Sequence, residues 1–177
     1  MKKTKIAALL VAGLMSGSVF AGNAGESYVG GQFSRITYEE SDVDELHPTA
    51  LIGRIGHFAT DYIAFEARLG TGLSDDDITV SGIKATLEVD SLVGLYGLAH
   101  LPLGERASVY ALGGFTRADG TFSAQGVSVS EEETGVSYGV GFQAKATDSL
   151  AGNVEYVSYL DKSYSVSAIS VGLNYHF

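Results

Sequence analysis

The chain has 177 residues, of which 45% are hydrophobic, and its formal net charge at pH 7 is −10. A chain of this size and composition suits one folded domain. It contains no cysteine, which excludes disulfides and thiol chemistry, and its acidic excess argues against nucleic-acid binding, which depends on clustered Lys and Arg. The 23 Gly, 10 Tyr and 8 Phe, set against 2 Pro and no Trp, favour strands and indicate an all-β protein.

The first residues have the pattern of an export signal. Residues 1–5 (MKKTK) are basic, residues 6–20 are apolar, and Ala21 follows as a small residue at a cleavage position. The apolar run is shorter than the roughly 20 residues that a transmembrane helix requires. We therefore predict a signal peptide over residues 1–21, cleaved after Ala21, and a single exported domain over residues 22–177.

The rest of the chain alternates large apolar residues with small or polar ones. A period of two places the two sets on opposite faces of a strand. Eight strands are predicted, over residues 28–38, 49–58, 63–70, 87–95, 107–117, 134–146, 150–160 and 168–177. The alternation of the fifth strand stays open, because Tyr110 and Leu112 compete with Val109, Ala111 and Phe115 for the apolar face.

The predicted connections alternate in length. Residues 60–61, 102–106 and 147–149 form short turns, whereas residues 39–48, 73–85 and 119–133 form long acidic loops, and the last connection at 161–164 is brief. An even number of antiparallel strands with short turns at one end and long loops at the other is the layout of an outer-membrane barrel. The predicted fold is an eight-stranded, antiparallel, up-and-down transmembrane β-barrel.

A soluble barrel of the lipocalin type would show the same alternation, with the apolar face inside. In the strands with clear alternation the apolar faces carry no charge over about ten residues, which at a tilt near 45° rise roughly 23 Å, the height of a lipid-facing band. The polar faces carry charges of both signs that can pair in a closed interior, and these form the predicted interior cluster: Arg54, Glu66, Arg68, Glu88, Asp90, Lys145 and Glu155. Arg35 and His57 fall on the lipid-facing side, where we expect both to lie near strand ends at the membrane borders.

The C-terminal sequence SVGLNYHF has a polar residue, then Gly, then two aromatic residues at alternate positions. With the strand pattern it resembles the small eight-stranded outer-membrane barrels of Gram-negative bacteria, the group of the OmpA transmembrane domain, OmpX and Ail and the wider porin family. The resemblance implies that Ser170, Gly172, Tyr175 and Phe177 form an assembly signal read by the barrel-assembly machinery. It also implies a place in the outer membrane, in contact with lipid and lipopolysaccharide, and we expect a monomer. Because Trp is absent, the periplasmic aromatic girdle is assigned to Tyr28, Phe58, Tyr62, Tyr175 and Phe177.

No motif for chemistry is found. The four histidines, His47, His57, His100 and His176, lack the spacing of a metal site, and we expect neither a cofactor nor an enzyme. The acidic loop residues lack a calcium-loop motif, and the simpler interpretation is a solvated surface; the alternative is that divalent cations bridge them to lipopolysaccharide phosphates. These residues are Glu39, Glu40, Asp42, Asp44, Glu45, Asp75, Asp76, Asp77, Glu131, Glu132 and Glu133.

The sequence therefore predicts a non-enzymatic barrel with a plugged interior that serves envelope integrity or surface interaction. Two alternatives remain open. One is a narrow channel whose wet path is lined by Arg54, Glu66, Arg68 and Lys145. The other is a soluble periplasmic ligand-binding barrel.

Overall fold

A computed structural model describes residues 23–39, 48–74, 76–80, 83–124, 127–160 and 165–177. Within these residues the secondary structure is entirely β. The strands are β1 (Ser27–Glu39), β2 (Thr49–Phe58), β3 (Ile63–Ser74), β4 (Asp76–Val80), β5 (Ile83–Pro102), β6 (Ala107–Ala124), β7 (Val127–Lys145), β8 (Leu150–Leu160) and β9 (Ser165–His176). In this part of the chain no helix is long or apolar enough to span a bilayer.

The strands form one closed antiparallel sheet. Strands that follow one another along the chain are paired, except that β3 pairs with β5 and not with β4, and the pairing of β1 with β9 completes the ring. The short β4 pairs with the start of β5 while β3 pairs with its later part, so β3 and β4 occupy one position in the barrel. The predicted eight-stranded up-and-down barrel is confirmed.

The two faces of the strands follow the predicted alternation. Phe142 and Leu173 are 44% and 59% exposed on the outer surface, whereas their neighbours Gln143 and Asn174 are 7% and 0% exposed inside. The barrel thus has an apolar outside and a filled inside. The structure also settles the fifth strand, because Tyr110 is buried in the lumen and Phe115 is exposed on the outer face.

The prediction of long loops at residues 73–85 and 119–133 was wrong in large part. β4 and the start of β5 lie in the first of these segments, and the last residues of β6 and the first residues of β7 lie in the second. Backbone pairing runs on to Val80↔Ile83 and to Ala124↔Val127. Antiparallel hydrogen bonding needs no apolar alternation, so hairpins can continue past the membrane band in acidic sequence. Residues 40–47 and 161–164 lie outside the described residues.

β5 contains an irregularity that the sequence pattern did not reveal. Its pairing with β6 shifts register between Val89 and Ser91, a β-bulge that skips Asp90. An extra residue reverses the alternation on either side of a bulge. The single alternating pattern predicted from Leu87 to Leu95 therefore does not run through the strand.

Arg35 and His57, which the sequence placed on the lipid-facing side, both lie next to a strand end. Arg35 pairs with Thr49, the first residue of β2, and with Ile169. His57 is the penultimate residue of β2, at the end that carries the short turns and both ends of the described chain. Both positions agree with the expectation that these residues lie at the borders of the lipid band.

Candidate functional site

The centre of the barrel holds four charged side chains, called here the charge network: Arg54 on β2, Glu66 and Arg68 on β3, and Glu155 on β8. The register of β2 and β3 pairs Arg54 with Arg68 and Gly56 with Glu66, which brings the first three together. β8 stands on the wall opposite β3 in the strand order. The side chains of all four are at most 1% exposed.

Hydrogen-bonded ion pairs connect the network across the lumen. Arg54 Nε donates to Glu66 Oε2 at 2.8 Å, and Arg68 Nε donates to Glu66 Oε1 at 2.6 Å. The other two nitrogens of Arg68 donate to the two oxygens of Glu155 at 2.5 and 2.8 Å. Two cations face two anions, so the buried charges balance and both carboxylates are bonded by a guanidinium, as burial of charge requires.

Three tyrosines surround this network. The Tyr28 hydroxyl donates to Glu66, and the Tyr110 hydroxyl donates to Glu155 Oε2 at 2.9 Å. The Arg68 guanidinium lies 4.5 Å from the centre of the Tyr96 ring, a cation–π contact. The network is therefore held on its edges by aromatic side chains from other strands.

An aromatic layer fills the lumen between the charge network and the end of the barrel that carries the short turns, which faces the periplasm in outer-membrane barrels. It consists of Tyr28, Phe58, His100, Tyr110 and His176. The Phe58 ring lies 4.9 Å from His100 and 6.3 Å from His176. His100 stacks on Tyr110 at 4.9 Å, and Tyr28 lies 5.3 Å from His176. The assignment of Tyr28 and Phe58 to the outer girdle was therefore wrong, because both side chains are at most 2% exposed and point into the barrel.

The other end of the lumen is filled by small polar and apolar side chains. Tyr96 and Ser137 hydrogen bond to Thr116 at 2.5 and 2.6 Å. Ile36, Ala50 and Ala168 form a further buried cluster, against which Tyr159 and Val166 pack. Side chains thus occupy the described lumen in successive layers.

Glycines make room for the large lumenal rings. A Cβ at Gly56 would lie 2.2 Å from Cζ of Tyr28, and one at Gly141 would lie 2.2 Å from Cζ of Tyr110. Each tyrosine therefore packs over a glycine of a neighbouring strand. The spacing of Tyr and Gly in single strands does not show this, because the partners come from paired strands.

The structure brings together four of the seven residues predicted for the interior cluster. The fifth, Lys145, lies at the periplasmic mouth, where its Nζ is 3.2 Å from Asn23 Oδ1 and 3.4 Å from Glu26 Oε2. The remaining two, Glu88 and Asp90, lie in β5, but their side chains fall outside the described part of the structure.

The residues of the predicted assembly signal lie in or directly after β9, the strand that pairs with β1. Ser170 is buried and its hydroxyl lies 2.7 Å from that of Ser34. Tyr175 and Phe177 are exposed on the outer face. One face of this segment therefore packs in the lumen, while the other exposes aromatic rings on the outer surface of the barrel.

Within the described ranges, no group of three or more His, Asp or Glu side chains is arranged to hold a metal ion. Ser27 and His57 meet across β1 and β2, with Oγ 3.0 Å from Nδ1, on the exposed side. Glu132 on β7 forms an exposed ion pair with Arg117 on β6. Glu133 pairs with Ala118 of β6 and its side chain is exposed. The side chains of the other predicted acidic loop residues, and His47, fall outside the described residues.

A model of the outer membrane protein beta-barrel domain matches residues 7–177. The chain belongs to this family. Its members are barrels of the bacterial outer membrane, which is where the chain resides. No curated protein matched the sequence.

Solved structures with the same fold are distant in sequence. Ail of Yersinia pestis is 17% identical with a TM-score of 0.68, and the match covers 87% of this chain and 99% of that one. Neisserial surface protein A is 13% identical with a TM-score of 0.63, covering 86% and 99%. OprG of Pseudomonas aeruginosa is 11% identical with a TM-score of 0.61, covering 88% and 97%. At such identities the likeness concerns the fold alone.

Proposed function

We propose that this protein is a closed, non-enzymatic outer-membrane barrel whose lumen is plugged and which serves as a structural or surface element of the envelope. The observation that carries the proposal is the charge network, in which Arg68 joins Glu66 on its own strand to Glu155 on the opposite wall. An eight-stranded barrel has an interior just wide enough for side chains. An ion entering this lumen would have to displace buried, hydrogen-bonded charges.

Planar-bilayer recording tests the plug. The refolded wild-type protein should show no steady unitary currents, because the charge network and the aromatic layer lie in series. Arg68→Ser combined with Phe58→Ala removes the cross-barrel link and a ring of the aromatic layer and should produce openings, whereas Arg106→Ser, a change at an exposed turn, should leave the trace silent. Steady wild-type currents would refute the plug.

A narrow channel is the second candidate, and one observation favours it. Four buried polar atoms of the lumen lack a hydrogen-bond partner among the described residues: Gln32 Oε1, Asn174 Oδ1, His100 Nε2 and His176 Nε2. Buried polar groups are normally satisfied by protein or water, so these atoms support a hydrated lumen. Wild-type currents whose ion selectivity changes on Glu66→Gln would establish the channel in place of the plug.

The proposed partners are outer-membrane lipid and lipopolysaccharide, with the barrel-assembly machinery acting during insertion, and we propose a monomer. Recognition by the machinery would use Ser170, Gly172, Tyr175 and Phe177. Replacing Tyr175 and Phe177 together with Ala should reduce the amount inserted in cells while leaving refolding in detergent intact. Leu173→Ala, on the same outer face, is the matched control and should insert normally.

The proposed surface role does not extend to polyanion binding. Ail of Yersinia pestis was crystallised with the heparin analogue sucrose octasulfate, but the segments at the outer end of this chain are acidic. Like charges repel a polyanion. A heparin column run at low salt should therefore fail to retain the refolded barrel, and retention would reverse this view.

The proposal also includes export by a signal peptide over residues 1–21 and the absence of catalysis. N-terminal sequencing of the membrane-extracted protein should begin at Gly22.

The Ser27–His57 hydrogen bond is assigned a structural role at the membrane border and no catalytic one. Ser27→Ala should therefore leave the lipid composition of the cells unchanged. Altered lipid species that depend on Ser27 would contradict the non-enzymatic assignment.

A further inference from the structure

Two histidines of the aromatic layer are buried close to one another. His100 on β5 and His176 on β9 are 7% and 3% exposed. Both lie against the Phe58 ring, whose centre is 4.9 Å from that of His100 and 6.3 Å from that of His176. Histidine has an ordinary pKa of about 6.5, so its charge changes just below neutral pH. The layer therefore contains two groups that a modest fall in pH can affect.

The surroundings of both rings suit the neutral imidazole. A charged imidazole has an N–H on each ring nitrogen and needs two acceptors. His100 Nδ1 lies 3.3 Å from Ser108 Oγ. His176 Nδ1 lies 3.4 Å from Glu26 Oε2. Neither Nε2 has a hydrogen-bond partner among the described residues, so in the charged form each ring would bury a donor without an acceptor, which is costly.

The charges on either side of the aromatic layer are already matched. In the charge network, two guanidinium groups bond two carboxylates. At the periplasmic mouth, the Glu26 carboxylate next to His176 also lies 3.4 Å from Lys145 Nζ. The phenol groups of Tyr28 and Tyr110 are uncharged at neutral pH. Protonation of both histidines would therefore add two unmatched positive charges to a balanced interior.

The other charged groups near His100 in the described part of the chain belong to turns at the periplasmic mouth. They line a recess that His100 also borders, and they are Asp61, Glu105 and Arg106. All three are at least partly exposed. Charges in contact with water interact weakly, so these groups do not offset a charge on the buried ring.

We propose that His100 and His176 form an acid-sensitive switch, in which protonation of the two imidazoles opens the aromatic layer at the periplasmic end of the lumen. At neutral pH both rings are neutral and packed, and the layer is closed. In the opened form each ring reaches water and takes up a proton with an ordinary pKa of about 6.5. The opened form thus binds more protons than the closed form, so a fall in pH favours opening and a rise favours closure. The inference rests on the proposed plug, of which the aromatic layer is one part.

Amide hydrogen exchange of the refolded barrel measures the opening. Three backbone N–H groups donate to carbonyls at the periplasmic end, at 2.9, 2.7 and 2.8 Å, and they belong to Phe58, His176 and Phe177. The exchange rate of each, divided by the intrinsic rate of an unprotected amide at the same pH, gives an equilibrium constant for opening. Between about pH 7.5 and about pH 5.5, a group with a pKa of about 6.5 that is protonated only in the opened form raises this constant about tenfold. With two histidines, we expect a rise of about 100-fold in the wild type.

Glutamine variants identify the groups responsible, because glutamine is polar but takes up no proton. His100→Gln and His176→Gln should each retain a rise of about tenfold, since one histidine remains, and the double variant should show no dependence on pH. His57→Gln is the matched control, because His57 lies at the same end of the barrel but is exposed on the outer face, and it should keep the full rise.

Each variant is compared with itself at two pH values, so a constant change in stability cancels. An opening constant of the wild type that ignores pH would overturn the switch. A pH dependence that survives in the double variant would overturn it as well.

A second amide separates the local switch from unfolding of the whole barrel. Arg54 lies in the middle of β2, between β1 and β3, and its amide should keep a smaller opening constant than the three periplasmic amides at acidic pH. Equal constants would mean that acid unfolds the barrel in one step, which contradicts the switch. Steady wild-type currents at neutral pH would refute the plug itself, whereas a silent barrel whose exchange ignores pH would overturn the switch alone.

Discussion

The charge network and the aromatic layer close the same lumen by different physical means. Arg54, Glu66, Arg68 and Glu155 are buried as balanced ions whose hydrogen bonds span the barrel. The aromatic layer fills its cross-section with the rings of Phe58, His100 and their neighbours. Tyr28 and Tyr110 belong to both, because each packs in the aromatic layer and donates its hydroxyl to a carboxylate of the network.

This difference predicts how each region fails. Loss of one member of the network leaves opposite charges buried without a partner, which is costly because the desolvation of the remaining ions is no longer offset. Loss of a ring from the aromatic layer leaves a cavity whose cost depends on how far the neighbours relax. The first effect should be the larger one.

Arg68→Met should destabilise the barrel most. It leaves Glu66 without one donor and Glu155 without two, and the expected loss in free energy of unfolding is about 3–5 kcal/mol. Urea unfolding of the barrel in lipid vesicles measures it. Arg106→Met breaks only an exposed pair with Asp148 and should change nothing measurable; equal behaviour of the two variants would show that the network adds no stability.

Phe58→Ala tests the aromatic layer. Phe58 is 1% exposed and touches His100 and His176, so its removal should cost about 3 kcal/mol. The control is Phe65→Ala, whose ring is 62% exposed on the outer face and loses fewer protein contacts. A greater loss in free energy of unfolding in Phe65→Ala than in Phe58→Ala would show that packing on the outer face stabilises the barrel more than the aromatic layer does.

Gly141→Ala tests the bridge between the two regions and should have the smallest effect. The new methyl group would displace the Tyr110 ring and disturb its bond to Glu155, at about 1–3 kcal/mol for overpacking. Gly113→Ala places the same group where nothing lies within 4 Å. If Gly113→Ala proved as costly as Gly141→Ala, glycine flexibility would explain the loss and the packing of Tyr110 would not.

The sequence predicted the barrel and the charged part of its lumen because both follow from alternation within single strands. The bounds predicted for the second and seventh predicted strands, 49–58 and 150–160, coincide with β2 and β8. The polar sides of the strands carry all four charged residues of the network. Only the choice of which face lines the lumen was therefore needed to place them inside.

The remaining features depend on contacts between strands, which alternation cannot supply. Tyr28 and Phe58 were placed in a lipid girdle because aromatic residues near strand ends suit both a membrane border and a packed lumen. Which one applies here is determined by the facing glycine at position 56 and by the ring of His100. The bulge at Asp90 was missed because a single extra residue leaves no separate signal in an apolar and acidic segment.

The direction in which the two faces point is the central claim, and labelling from within the bilayer tests it most directly. The refolded barrel in vesicles is exposed to a carbene reagent confined to the hydrocarbon, and the modified residues are identified by mass spectrometry. Phe142 and Leu173 should be modified while their chain neighbours Gln143 and Asn174 are spared. Modification of Gln143 and Asn174 with protection of Phe142 and Leu173 would contradict the account.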